Sequence, residues 1–277
     1  MSEPKKPSNV LLRVGSAVLA LAVVLPLLFF GGAPGVLALT GLVLVWSQLE
    51  YTRMTFPTRA RAILPLLVGL GGVMVLAVQT QDFRWLAASA LLGLFVTAWW
   101  VLFTPRADTT GMQGEWGRLL LGVFYIPLPL GFLPLVVAMP DGHGFGWLVL
   151  TFAATWGGDS GAYFAGRTFG RTPLFPLVSP KKTWEGFAGG LVAAVGLCCL
   201  LKVLFFPWVG WVDCVVLGVM LDLAGVTGDL VESMIKRDVG VKDSGTFLPG
   251  HGGMLDRIDS IVFTLPLTWI YVRGIYG

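Results

Sequence analysis

The sequence predicts an all-α polytopic integral membrane protein with about nine transmembrane helices, its N-terminus cytosolic and its working site at the cytosolic membrane edge. Three observations carry this. Of the 277 residues, 55% are hydrophobic and only 13% are charged, about half the ~25% charged content of a soluble globular domain. The apolar residues come in long runs, many near the ~20 residues that a helix needs to cross a hydrocarbon core of about 30 Å. The basic residues are distributed so that one orientation places nearly all of them on the same side.

The expected spans are 10–30, 34–50, 62–79, 85–103, 118–139, 145–165, 187–206, 209–230 and 258–275. Glycines and prolines interrupt several of them, which lipid tolerates where neighbouring groups satisfy the freed backbone. With the N-terminus inside, the cytosolic segments hold Lys5, Lys6, Arg13, Arg53, Arg59, Arg61, Arg106 and Arg118, then Arg167, Arg171, Lys181, Lys182, Lys236, Arg237, Lys242 and Arg257. That is 16 of the 19 basic residues, the bias that cytoplasmic loops carry. The external loops are then short, and the two long loops, 166–186 and 231–257, face the cytosol.

The first apolar run has no small-residue cleavage site before a soluble domain, so it reads as a retained span. The pattern suits a bacterial-type inner (plasma) membrane. Cys198, Cys199 and Cys214 lie in apolar runs without metal-ligand or disulfide spacing. There is no internal repeat, and the net charge of +3 is modest; a nucleic-acid partner is not expected. The chain divides into a transmembrane region of about four helices, 1–115, and a region carrying the chemistry, 116–277.

Loops of about 20 residues in a compact protein are usually functional. The first has Asp159 before it, inside a span, where an ionisable residue signals function or a pairing partner. It then holds Ser179-Pro-Lys181-Lys182-Thr-Trp-Glu185, which reads as an ordered anion site. The second is denser. Asp229, Glu232, Ser233, Lys236 and Arg237 are spaced i, i+3, i+4, i+7 and i+8, so two carboxylates and two cations share one helical face. A turn follows, Pro249-Gly-His251-Gly252-Gly253, whose glycines allow backbone N–H groups to approach an oxyanion. Asp256 and Asp259 then flank Arg257 at the start of the last span. Each basic residue taken singly is explained by topology, but topology needs no glycine turn and no acidic pairs. Carboxylates mixed with Lys and Arg suit Mg²⁺ with phosphate, since Mg²⁺ takes one or two carboxylates plus phosphate oxygens and the cations clamp the remaining charge. His251 has no visible partner and reads as packing or phosphate contact. Asp222, one heptad before Asp229, is a secondary candidate. Asp213 is expected to be solvated, and His143 lies in an external loop.

The run from Ser233-Met-Ile-Lys236-Arg237 through Lys242-Asp243 and His251-Gly-Gly to Asp256-Arg257-Ile-Asp259 resembles the signature of the phosphatidate cytidylyltransferases, without a gap. The runs Asp159 to Gly170 and Ser179 to Phe187 are similar to that family too. The first 115 or so residues match in hydropathy alone. The resemblance implies that CTP and phosphatidate yield CDP-diacylglycerol and pyrophosphate at the membrane, with Mg²⁺, in a homodimer. On this reading the catalytic residues are Asp229, Asp256, Lys236 and Arg257. Asp229 and Asp256 hold metal, with Asp259, Asp159 and Asp243 as second choices in a two-metal site. Lys181, Lys182, Ser179, Arg237, Lys242, His251, Gly252 and Gly253 bind substrate. Rival readings are a CTP-dependent lipid kinase or another lipid-phosphate transferase, and a secondary transporter. A transporter's site lies near the bilayer midplane between repeats, whereas these charges gather at one edge.

Overall fold

Apolar runs bounded by Gly, Pro and polar residues set the helix ends. The computed structural model describes residues 26–28, 31–245 and 252–276. The expected first span lies almost entirely outside these residues, and His251 lies outside them. Helix α1 is Gly32–Thr55 and α2 is Ala60–Gln79, separated by a turn at Pro57. Helix α3, Phe83–Phe103, starts at Asp82, whose side chain accepts from the Arg84 N–H at 2.8 Å and so satisfies one of the free donors of a helix start.

The segment expected as one span over 118–139 is instead broken into α4 (Met112–Phe124), α5 (Pro127–Leu130) and α6 (Phe132–Val137). Pro127, Pro129 and Pro134 remove N–H donors, and carbonyls near the breaks take side-chain donors from neighbouring helices. Gln48 donates to Gly122 O at 2.5 Å, Tyr51 to Arg118 O at 2.6 Å and Gln79 to Gly131 O at 2.6 Å. This is how a membrane interior tolerates a broken helix.

Helix α7 is Gly144–Phe169, α8 is Trp184–Leu204, α9 is Trp211–Asp238 and α10 is Leu255–Tyr276. Between α7 and α8 lies a small antiparallel hairpin, β1 (Pro173–Phe175) and β2 (Ser179–Thr183), where the sequence had suggested only a loop. Thr183 caps α8 by accepting from Gly186 N–H at 3.1 Å, and Glu185 holds the base of the hairpin by accepting from the N–H groups of Arg171 and Thr172 at 3.1 and 3.2 Å.

The α7–α8 contact runs along small residues. A methyl at Gly161 would collide with Ala193, and one at Gly189 with Ala165. Backbones in membranes approach this closely through small side chains. Gly228 does the same for α9 against α10: its missing Cβ leaves room for the Asp259 carbonyl.

Two buried clusters knit the bundle. One surrounds Trp147, Leu217, Leu221 and Leu265. The other joins Tyr51, Ile63, Leu67, Leu119 and Ile126 to Ile235, Leu255 and Val262, so the N-terminal helices share one core with α9 and α10. By contrast, Phe95, Trp99 and Phe103 on α3 and Val192 and Val203 on α8 stand exposed, as lipid-facing side chains do.

Among the described residues, seven stretches are long and apolar enough to cross a membrane, counting α4–α6 as one. Helix α7, at 26 residues, is long enough but less apolar, because it carries Asp159, Arg167 and many glycines. The chain is thus an all-α, multi-pass membrane protein with a short hairpin. Every expected span from 34–50 onward has a helical counterpart, and several helices run further than expected: α9 continues eight residues past position 230, to Asp238.

Candidate active site

Helices α7, α8, α9 and α10 and the hairpin enclose a cleft of about 710 Å³. Asp159 comes from α7, Lys181 and Lys182 from β2, Asp229 from α9, and Asp256, Arg257 and Asp259 from the first turns of α10. Trp156, Tyr163, Phe187 and Val226 supply its apolar wall. Residues scattered over a hundred positions therefore face one volume. The small-residue contact of α7 with α8 draws Asp159 toward the hairpin lysines, and Gly228 draws Asp229 toward Asp259.

An ion pair crosses the cleft: Lys182 Nζ lies 2.8 Å from Asp229 Oδ2. Ser233 donates to Asp229 Oδ1 at 3.2 Å from one turn along the helix. Asp259 lies within electrostatic range of both Asp229 and Asp159, and Asp159 within range of Lys182 and Asp229. Ser260 lies beside Asp159, and its N–H donates to Asp259 Oδ1 at 2.7 Å. Three carboxylates thus face one cleft, with Lys182 paired to Asp229.

Asp256 is differently placed. Lys236 donates to Asp256 Oδ1 at 2.7 Å and also to Glu232, one turn back on α9. The N–H groups of Gly253 and Ser244 donate to Asp256 Oδ2 at 2.8 and 3.1 Å. Gly252, at φ +85°, takes the left-handed conformation that glycine adopts without strain and brings Gly253 into position. Lys236, 9% exposed, is engaged by these two carboxylates and does not line the cleft.

Of the other residues singled out from the sequence, Arg237 is exposed and donates to Val241 O at 3.1 Å, and Lys242 is exposed. Ser179 pairs with Phe175 in the hairpin. None of the three lines the cleft. Asp243 borders a separate pocket of about 320 Å³ with Glu50 and Arg53. His251 lies outside the described residues. Asp222 is 2% exposed beneath the cleft, between Gly158 and Gly190, and its Oδ2 has no hydrogen-bond partner among the described residues. Asp213, expected to be solvated, instead accepts from Tyr271 at 2.6 Å and from Tyr276. His143 stacks on Trp208 with ring centroids 4.1 Å apart.

Sequence reasoning missed Glu50 of α1 and Ser244, which meet the signature from opposite sides. Leu255 N–H donates to Glu50 Oε2 at 2.9 Å and Ser244 Oγ donates to the same atom at 3.3 Å. A lone glutamate in an apolar run is a recognisable signal, but nothing local names its partner.

The donor set suits Mg²⁺. Among the described residues no three His, Cys, Asp or Glu side chains form a ready-made metal group, but Mg²⁺ takes one or two carboxylates and completes its shell with phosphate and water. Asp229, Asp259 and Asp159 line the same cleft, and a cation held there would offset their charge. Both oxygens of Asp256 already have donors.

A cytidylyltransferase family model matches residues 11–275. The chain is 36% identical to a phosphatidate cytidylyltransferase of Synechocystis sp. over 286 aligned residues, which cover 94% of this chain and 95% of that one. It is 31% identical to the Bacillus subtilis phosphatidate cytidylyltransferase over 263 residues, covering 93% and 95%. It is also 48% identical to the chloroplastic phosphatidate cytidylyltransferase 5 of Arabidopsis thaliana over 127 residues, covering 46% of this chain and 31% of that one.

Proposed function

The chain belongs to the cytidylyltransferase family, and from that premise we infer how its cleft serves the reaction. It is a nucleotidyltransferase that moves a cytidylyl group from CTP to phosphatidate, giving CDP-diacylglycerol and pyrophosphate. The observation that carries the reading of the site is the convergence of Asp159, Lys181, Lys182, Asp229, Arg257 and Asp259 on one cleft.

In the reaction, a phosphate oxygen of phosphatidate attacks the α-phosphorus of CTP. One P–O bond forms, the bond to the β-phosphate bridging oxygen breaks, and pyrophosphate leaves with the electron pair. The attacking monoester is already ionised near neutral pH, so no strong base is required. The task left to the protein is to bring two polyanions together and hold the charge that shifts onto pyrophosphate, which is positioning and electrostatics. Lys181, Lys182 and Arg257 bind the phosphates. Asp229, Asp259 and Asp159 would hold Mg²⁺, with Asp256 as a further donor; when bound, Mg²⁺ neutralises phosphate charge and polarises the reacting phosphoryl group. Lys236 keeps Asp256 and the start of α10 in place rather than meeting substrate.

The cleft's apolar wall and charged floor suit a ligand with an anionic head and acyl chains. We place this end of the bundle in the cytosol of a bacterial-type inner membrane on the positive-inside bias, with nine spans when 10–30 is included, and expect a homodimer. CTP then arrives from water and phosphatidate from the inner leaflet.

Product analysis separates this reading from a lipid kinase. With CTP labelled at the α-phosphate, label enters the lipid; with CTP labelled at the γ-phosphate, it leaves as pyrophosphate. Lipid labelled from the γ-position would overturn the assignment.

A further inference from the structure

We propose that Glu50, in the N-terminal helix α1, is a positioning residue for the reaction, because it fixes the start of α10 on which Asp256, Arg257 and Asp259 stand. The inference rests on the functional reading above. Glu50 is 4% exposed and lies about two hundred positions before the residues it holds. Its Oε2 accepts from Leu255 N–H at 2.9 Å and from Ser244 Oγ at 3.3 Å. Ser244 Oγ in turn accepts from Asp256 N–H at 3.3 Å, and Ser244 N–H donates to Asp256 Oδ2 at 3.1 Å.

The first N–H groups of a helix have no partner within it, and the helix start carries partial positive charge. Glu50 meets both needs from another helix. It caps Leu255 directly and Asp256 through Ser244. It touches the chain on both sides of the segment 246–251, at Ser244 and at Leu255. The signature glycines make room for it. A Cβ on Gly245 would stand 2.6 Å from Glu50 Cδ, and a Cβ on Gly253 would stand 2.5 Å from Glu50 Oε2. Gly253, which reads as a phosphate-approach residue, therefore also seats a carboxylate, as does Gly245.

No other group among the described residues takes the Leu255 N–H. Without Glu50, the first turn of α10 loses its fixed end, and Asp256 loses the partner that holds Ser244 against it. A misplacement of about 1 Å can cost on the order of 10²-fold in rate.

The test uses detergent-purified full-length protein and two readouts, pyrophosphate release and hydrogen exchange at the amides of Leu255 and Asp256. Glu50→Ala is expected to lower kcat by about 10²-fold, to leave KM for CTP nearly unchanged, and to speed exchange at both amides. Glu50→Gln keeps an oxygen that accepts both bonds and is expected to restore most of kcat and the protection. A merely structural role would lower the folded fraction and leave kcat per folded molecule untouched. Should Glu50→Ala fail to fold, Ser244→Ala removes only the relay and is expected to lower kcat while Leu255 stays protected. The proposal is overturned by a Glu50→Ala protein with wild-type kcat, by unchanged exchange at Leu255, or by a Gln variant as impaired as Ala. Wild-type protein that releases no pyrophosphate with phosphatidate and CTP would strike the functional reading instead, and the exchange arm would still judge Glu50.

Discussion

Removing the Lys182 ammonium separates the stability of the cleft from its chemistry. At 2.8 Å from Asp229, the gross attraction is roughly 6 kcal/mol at an effective dielectric of about 20. The side chains of Lys182 and Asp229 retain 24% and 29% of their exposure, so water offsets most of that, and such pairs are worth about 1 kcal/mol or less to folding. During turnover the setting changes: substrate fills the cleft, water leaves, and Lys182 meets phosphate. A charge-assisted hydrogen bond lost there is worth about 1.5–3 kcal/mol, or about 10- to 150-fold in rate. Lys182→Ala is therefore expected to melt within a few degrees of wild type while pyrophosphate release falls by at least about tenfold. Lys182→Arg, which keeps the charge, is expected to lie between them. A Lys182→Ala protein with undiminished release at unchanged melting temperature would refute the reasoning.

Other outcomes follow from particular contacts. Glu115 is 5% exposed and pairs with Arg59 at 2.5 Å and Arg106 at 2.9 Å. Glu115→Ala should cost about 2 kcal/mol of stability, below the ~3–5 kcal/mol of a fully buried pair because Arg59 is partly exposed, without changing activity per folded molecule; thermal melts and specific activity check both. Gly228→Ala drives a methyl into the Asp259 backbone and to 3.1 Å from Phe263. It should cost about 1–3 kcal/mol and lower kcat by about tenfold or more. Gly196→Ala, with open space around its Cβ, should be neutral or slightly stabilising in the same assays. Orientation is checked with an impermeant thiol reagent on spheroplasts, using a protein lacking Cys198, Cys199 and Cys214. Arg84→Cys, at the far turn, should label, and Leu177→Cys, at the 94% exposed hairpin tip, should not; the reverse pattern would invert the topology.

The chemistry was legible where it is local. The spacing of Asp229, Glu232 and Lys236 foretells that these groups share a helical face, and the structure pairs Lys236 with Glu232 there. The reach of Lys236 to Asp256, which withdraws it from the cleft, depends on how α9 packs on α10 and has no local signature. Asp159 and Lys182 were recognisable as charges near a membrane edge, but their meeting with Asp229 depends on glycine contacts between helices. The breaks in 118–139 were hinted at by three prolines, yet the span is rescued by Gln48, Tyr51 and Gln79 from other helices. Glu50 illustrates the limit. Its partners lie about two hundred residues away, in a region set apart from its own by the division at 115/116, and no periodicity connects them.

The central claim is that the convergent carboxylates and cations of this cleft carry cytidylyl transfer. The most direct measurement is pyrophosphate release from CTP by purified protein, with and without phosphatidate and Mg²⁺, for wild type and for Asp229→Asn. Release should require all three components, match CDP-diacylglycerol mole for mole, and fall by about 10²-fold or more in the folded variant, the scale of losing preorganised electrostatic stabilisation. Release that proceeds without phosphatidate, or that persists at the wild-type rate in Asp229→Asn, would contradict it.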